Sequence, residues 1–233
     1  MKDRGHIIGV DLAQSVDATA ILIGQLFEVD EGQRNALHLH VRHLELLPRN
    51  TTYTDQVDRL AALRFTSGIE GLERCPMIVD ATGVGRPVVD LLRDRGLNPT
   101  PVTFTAGDRS SFDDELRIHR VPKKSLVASL CVMLEKKRLK FAHDLPALDV
   151  LLDELQNFEL QVSASGHVSF NARSGSHDDT VSALSLACWW ALDHGPVNWG
   201  PDSVCTIKGR GNFERPRGTR GQWRESGGRG RWS

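Results

Sequence analysis

Apolar positions in the first half of the chain come in short runs and alternations, the marks of strands. His6 to Val10 and Ala18 to Gln25 are rich in aliphatic residues and are separated by the polar stretch Asp11 to Asp17. They predict two strands folded antiparallel about a turn. Leu37 to Leu46 alternates, with Leu37, Leu39, Val41 and Leu44 on one side and His38, His40 and Arg42 on the other, so a third antiparallel strand is expected. Tyr53 to Thr66 then has helical spacing through Val57, Leu60, Leu63 and Phe65, with Thr54 as a candidate N-cap. Pro76 to Asp80 is apolar up to its terminal acid, as in a sheet covered on both faces. The loop Ala81-Thr82-Gly83-Val84-Gly85 opens another helix, and Thr100 to Thr105 reads as the next strand.

In the second half helical spacing prevails. Gly107 to Arg120 is polar and reads as irregular or hairpin-like. A helix follows Val121-Pro122-Lys123-Lys124, running through Leu126, Leu130 and Leu134 as far as Leu139, with Pro122 suited to its first turn. Leu145 to Phe158 is a second amphipathic helix with Leu148, Leu151, Leu152 and Leu155 on its apolar face. Leu160 to Val162 and His167 to Phe170 predict a hairpin hinged at Ser165-Gly166. The last helix opens at Asp178-Asp179 and stops near His194-Gly195-Pro196. No internal repeat interrupts this order, and the pattern is that of an α/β domain.

With 233 residues, 39% hydrophobic and 25% charged, the chain has material for a sizeable core. No stretch approaches the roughly 20 apolar residues of a spanning helix. The opening residues lack a signal-peptide pattern, so a cytoplasmic protein is expected. Cys75, Cys131, Cys188 and Cys205 are far apart without a Cys-x-x-Cys pair, which argues for reduced thiols rather than disulfides or zinc. The net charge of -1 is uneven: residues 208–233 hold eight Lys or Arg against two Glu, giving +6, and the remainder carries -7. A domain over residues 1–207 and a disordered Gly/Arg-rich tail over 208–233 are expected. Arg210, Arg217 and Arg220 are candidate phosphate contacts in that tail, and a solubilising terminus is the equal alternative.

Candidate chemistry lies in the acids. Asp11 and Asp80 each end an apolar strand, and Asp178-Asp179 stands at the mouth of an apolar helix. Each has a bland reading: strand-end Asp residues serve turns, and Ser176 with Asp179 has capping-box spacing. Together they read as a site for Mg²⁺ or Mn²⁺, hard cations that bind a few carboxylates and substrate phosphates. A phosphodiester is the matching substrate. His38 and His40 fall on the solvent side of their strand, against a metal role. Gly83 and Gly85 begin a dinucleotide-like fingerprint, but Val88 stands where its third glycine belongs.

Gly9-Val10-Asp11, Ile78-Val79-Asp80-Ala81-Thr82-Gly83-Val84-Gly85, Val121-Pro122-Lys123 before a helix, and His177-Asp178-Asp179 with Ala183 downstream occur in one order from about Gly5 to Leu192. This order resembles the ribonuclease H-like fold, a mixed sheet of three antiparallel strands followed by parallel ones and flanked by helices. More narrowly it resembles the nuclease domain of the large terminase subunit of tailed bacteriophages. The resemblance implies a metal-dependent endonuclease that cuts double-stranded phage DNA during genome packaging, in the host bacterial cytoplasm. Asp11 would be the central ligand and Asp80 the second. Asp179 or Asp178 would be the third, and Asp17 an accessory acid or a turn acid. Two Mg²⁺ or Mn²⁺ ions roughly 3.5–4 Å apart would activate water and stabilise the departing oxygen. His177 would assist proton transfer or contact phosphate, and Lys123, Lys124 and Arg86 would contact the DNA backbone. Complete large terminases also carry a P-loop motor, which this sequence lacks. The chain is then either the nuclease half of a split or truncated system, with a separate ATPase motor, small terminase subunit and portal as the implied partners, or an excised domain of a longer protein. A junction resolvase, a ribonuclease H or a non-catalytic nucleic-acid-binding packaging module are the competing readings.

Overall fold

The computed structural model describes residues 1–13, 17–32, 34–162, 168–172 and 177–195. Strands β1 (Lys2–Asp11), β2 (Ala20–Asp30) and β3 (Asn35–Leu46) form the predicted antiparallel meander. Helix α1 (Tyr53–Thr66) crosses one face and leads to β4 (Met77–Asp80), which lies parallel to β1. Then come α2 (Gly85–Asp94), β5 (Thr100–Thr105), the hairpin of β6 (Ser111–Asp113) and β7 (Ile118–Pro122), and α3 (Lys123–Glu135). The chain continues through β8 (Leu139–Phe141), α4 (Leu148–Asn157), β9 (Phe158–Val162), β10 (Val168–Ala172) and α5 (Asp179–His194). The main sheet has eight strands in the order β6-β7-β5-β4-β1-β2-β3-β8, and β9 pairs with β10 separately.

Side-chain alternation divides the core in two. Ile7 and Ile78 point to one face, where they join Leu126 and Met133 of α3, Leu151 of α4 and the apolar residues of α5. Ile8, Val10 and Val79 point to the other, against Val57 and Leu60 of α1 and Val88 and Leu92 of α2. Every residue of α5 from Asp179 to Ala191 is buried, because the helix lies between the sheet and α3 and α4. A helix covered on all sides loses the polar stripe of a surface helix.

Several local expectations need correction. Thr52, not Thr54, caps α1, its hydroxyl accepting the Asp55 N–H. Phe65 is half exposed, and the neighbouring Arg64 turns inward to donate to the carbonyls of Glu73, Cys75 and Leu97. The apolar face of α3 uses Met133 rather than Leu134, and Leu152 of α4 is exposed. Leu139 lies not in α3 but in β8, after Lys137 turns the chain through a φ of 54°. Pro122 ends β7 and stands at the N-cap position of α3 rather than inside its first turn. A bulge in the β2–β3 pairing takes Arg42 out of register, which is why Leu44 rejoins the face of Leu39 and Val41. On the opposite side, His40 is half buried against Phe27, with ring centroids 4.5 Å apart, rather than solvated. The hinge at Ser165-Gly166, Ser176 and all of residues 196–233 lie outside the described residues.

Candidate metal centre

Asp11 and Asp80 are register partners at the C-terminal ends of the parallel strands β1 and β4. Adjacent strands lie about 4.8 Å apart, and paired residues point the same way. Both acids follow the parity of Ile7 and Ile78 and face α5. The helix starts above them and runs back over the sheet, so Asp178 and Asp179 arrive at the same edge. Strand β7 is parallel to β5 and ends at this edge too, which delivers Lys123 at the start of α3.

Glycines allow the approach. A Cβ on Gly9 would lie 2.3 Å from the carbonyl oxygen of Ala183, so α5 sits directly on the β1 backbone. Gly83 and Gly85 have φ of 118° and 69° with no close neighbour that excludes a Cβ, so they serve the tight turn out of β4. Asp80 Oδ1 accepts the Thr82 N–H at 2.7 Å, and Thr82 Oγ1 accepts the Phe104 N–H at 2.7 Å, which pins that turn to β5.

The electrostatics are those of crowded anions. Burial and then the charges of Asp80, Asp179 and Asp178 push the Asp11 carboxyl well above its usual range, against a hydrogen bond from Ser182. Burial pushes Asp80 up to about 6, although bonds from Thr82 and the nearby Lys123 oppose the shift. Asp179 is raised by burial and by Asp17 and Asp178, with the Ala18 N–H and His177 opposing. Lys123 Nζ holds the Oδ2 of Asp178 at 2.7 Å. Buried carboxylate oxygens that a bound cation would relieve of both desolvation and mutual repulsion fit a hard divalent ion.

A second group adjoins the first. Asp17, His177 and Asp179 each present a ligand atom within 4.8 Å of the others. His177 Nδ1 lies 2.8 Å from Asp17 Oδ1, and its Nε2 lies 2.8 Å from a guanidinium nitrogen of Arg49. Arginine can only donate, so Nε2 accepts and the ring proton sits on Nδ1, pointing at Asp17. Asp179 Oδ2 accepts the Ala18 N–H at 3.0 Å, closing the β1–β2 turn onto the helix start.

All five sequence-derived acids therefore gather at one edge. Of the candidate DNA contacts, Lys123 faces inward onto Asp178, Lys124 pairs with Asp108, and exposed Arg86 lies 3.6 Å from Asp90. Arg210, Arg217 and Arg220 lie outside the described residues. Sequence reasoning missed Arg49, Ser182 and Glu154. Ser182 could have been found, since it follows Asp179 by three residues on one helix face. Arg49 comes from a loop with no spacing signal.

Comparison with known proteins gives one family. The model of the terminase RNaseH-like domain matches residues 8–189, a span that holds Asp11, Asp80, Asp178 and Asp179. The large terminase subunit of Thermus phage G20c is 27% identical over 185 residues, covering 79% of this chain and 31% of that protein. The large terminase subunit of Thermus virus P23-45 is 30% identical with the same coverage. The chain thus spans about a third of the length of the curated relatives it matches. The crystal structure of the large terminase nuclease from thermophilic phage G20c with bound magnesium has a TM-score of 0.55 at 27% identity, covering 79% of this chain and 80% of that one. The same nuclease has also been solved with bound cobalt. The eight-stranded mixed sheet is that of the ribonuclease H-like fold, and the chain belongs to the terminase RNaseH-like domain family.

Proposed function

We propose that this chain is a metal-dependent endonuclease that cuts double-stranded phage DNA during genome packaging, with Asp11, Asp80, Asp179 and Asp178 holding two Mg²⁺ or Mn²⁺ ions. The observation that carries the reading is the pairing of Asp11 with Asp80 at one strand edge, closed by the first turn of a buried helix. The magnesium and cobalt bound by the G20c nuclease support it. When bound, the ions supply an activated water and charge stabilisation for the leaving oxygen. Asp11, whose carboxyl feels Asp80, Asp179 and Asp178, would be the ligand shared by the ions. Lys123 orients Asp178 and partly offsets the local negative charge. The Arg49-His177-Asp17 chain fixes the accessory carboxylate beside Asp179.

We assign residues 208–233 as a basic arm for the DNA backbone, since its +6 charge complements a -7 remainder that repels phosphate. The proposed partners are double-stranded DNA, a terminase ATPase motor, the small terminase subunit and the portal, in the host cytoplasm. Among the described residues no helix is long and apolar enough to cross a membrane.

Plasmid digestion tests the reading. Supercoiled DNA is expected to be nicked and linearised with Mg²⁺ or Mn²⁺ and to stay intact with EDTA, and metal-independent cleavage would overturn the assignment. Linear duplex, four-way junction and RNA–DNA hybrid assayed side by side separate the terminase reading from a resolvase or ribonuclease H. Among single acids, Asp179→Ala is expected to cost at least about ten times more cleavage than Asp17→Ala. Asp179 is buried at the helix start, whereas Asp17 is exposed. Equal losses would place Asp17 in the metal centre proper.

A further inference from the structure

Helix α5 does not cap itself. Asp178 stands at its N-cap position yet makes no side-chain bond to the helix, its Oδ2 being taken by Lys123. Asp179 turns its carboxylate to the Ala18 N–H. The first N–H groups of a helix have no partner within it, and a buried end must find them elsewhere. Glu154, projecting from α4, is that partner. Its Oε2 accepts the Thr180 N–H at 2.9 Å, the Val181 N–H at 3.1 Å and the Thr180 hydroxyl at 2.5 Å. Glu154 is 5% exposed and Thr180 fully buried, so water does not substitute for these bonds.

The arrangement is costly by itself. A buried carboxylate is unfavourable even when bonded, and this one lies behind acids that already repel each other. Burial pushes the Glu154 carboxyl up, and the charge of Asp179 adds to the shift. An Asp capping its own helix would satisfy the same donors without a second buried acid.

We propose that Glu154 is a positioning residue for the metal centre, capping α5 from outside so that Asp178 and Asp179 are released from capping and held toward the Asp11–Asp80 edge. The proposal rests on the metal-dependent reading of those acids. It also gives the sequence feature a physical meaning: the tandem Asp is available for metal because a residue of another helix has taken over its structural duty.

Glu154→Ala, Glu154→Gln and Leu151→Ala, each compared with the wild-type chain, test this by Mn²⁺ calorimetry and by hydrogen exchange at the Ala18 amide. Glu154→Ala is expected to weaken Mn²⁺ binding at least about tenfold, the scale of lost outer-shell support. It should also speed Ala18 exchange relative to Ile78. Glu154→Gln keeps an acceptor oxygen in place and should recover most of both losses. Leu151→Ala empties a fully buried position of the same helix and should lower stability while leaving both readouts near wild type. Wild-type Mn²⁺ binding in Glu154→Ala, or an equal loss in Leu151→Ala, overturns the proposal. If the wild-type chain takes up no Mn²⁺, the metal reading itself fails, and Ala18 exchange decides the positioning claim: no change in Glu154→Ala overturns it. Should Glu154→Ala not fold, Glu154→Asp keeps the charge, shortens its reach and carries the same expectations.

Discussion

On the proposed metal reading, Asp11→Asn is expected to reduce plasmid cleavage by about 10²–10³-fold, since losing a ligand shared by the ions would remove several kcal/mol of charge stabilisation in the transition state. The fold should survive and gain stability. Asp11 is buried and faces three other acids, and a neutral amide in its place relieves a desolvation and a repulsion that the Ser182 hydrogen bond only partly offsets in the metal-free protein. Asp80→Asn shows the same logic with a clearer pH signature. The Asp80 carboxyl is raised from 3.8 to about 6 in the folded chain. A raised folded value means that the native state binds the proton more tightly than the unfolded chain does. Its stabilising contribution is complete below about pH 4 and is lost as pH rises through about 6. The advantage of Asp80→Asn over wild type should therefore be absent at pH 4, grow up to about pH 6, and level off at up to about 3 kcal/mol, taking 1.36 kcal/mol for each unit of pKa. Asn keeps an oxygen for the Thr82 N–H, so that bond does not confound the comparison. Urea unfolding at several pH values, without metal and then with Mn²⁺, checks both signs. Added Mn²⁺ should reverse the order by stabilising the wild type selectively. Cleavage by folded Asp11→Asn at the wild-type rate would remove this acid from the chemistry.

How much of this was legible depended on whether the signal was local. The leading strands, the Asp80 strand and the Asp178-Asp179 helix show in the sequence because burial on both faces writes continuous apolar runs, with Asp11 and Asp80 ending two strand runs and Asp178-Asp179 opening the helical one. That Asp11 and Asp80 share a face followed from neither run. It depends on the β1–β4 register, which pairs residues far apart in the chain. The capping-box partner Ser176 lies outside the described residues; among those described, Asp178 stands at the N-cap position, Ala18 and Lys123 hold the two carboxylates, and Glu154 supplies the cap. Glu154 resembled any polar position of an amphipathic helix, because its partners are 26 and 27 residues away. Strand β8 was invisible for another reason: three residues carry too little periodicity to separate a strand from the end of a helix.

Gly9→Ala is expected to be among the most damaging substitutions outside the acids. The new Cβ would sit 2.3 Å from the Ala183 carbonyl oxygen, 3.2 Å from its carbon and 3.5 Å from the Ala187 Cβ. The first two are backbone atoms of a buried helix, which cannot rotate away. Either α5 lifts from the sheet or β1 bends, and overpacking of this kind costs about 1–3 kcal/mol or more. That exceeds the 0.5–1 kcal/mol or so that a strand gains when alanine replaces glycine. The displaced helix carries Asp179, so the loss should extend to Mn²⁺ affinity and cleavage. Gly24→Ala makes a discriminating control. Its Cβ would meet the Leu39 Cδ1 at 2.4 Å, an equally short contact but with the end of a rotatable side chain. Leu39 can change rotamer at modest cost, and the metal edge is not involved. Urea denaturation and Mn²⁺ calorimetry on both variants should show Gly9→Ala losing stability and metal affinity together, and Gly24→Ala losing some stability alone. Normal metal binding in Gly9→Ala would mean that the spacing of helix and strand is not what holds Asp179 beside Asp11.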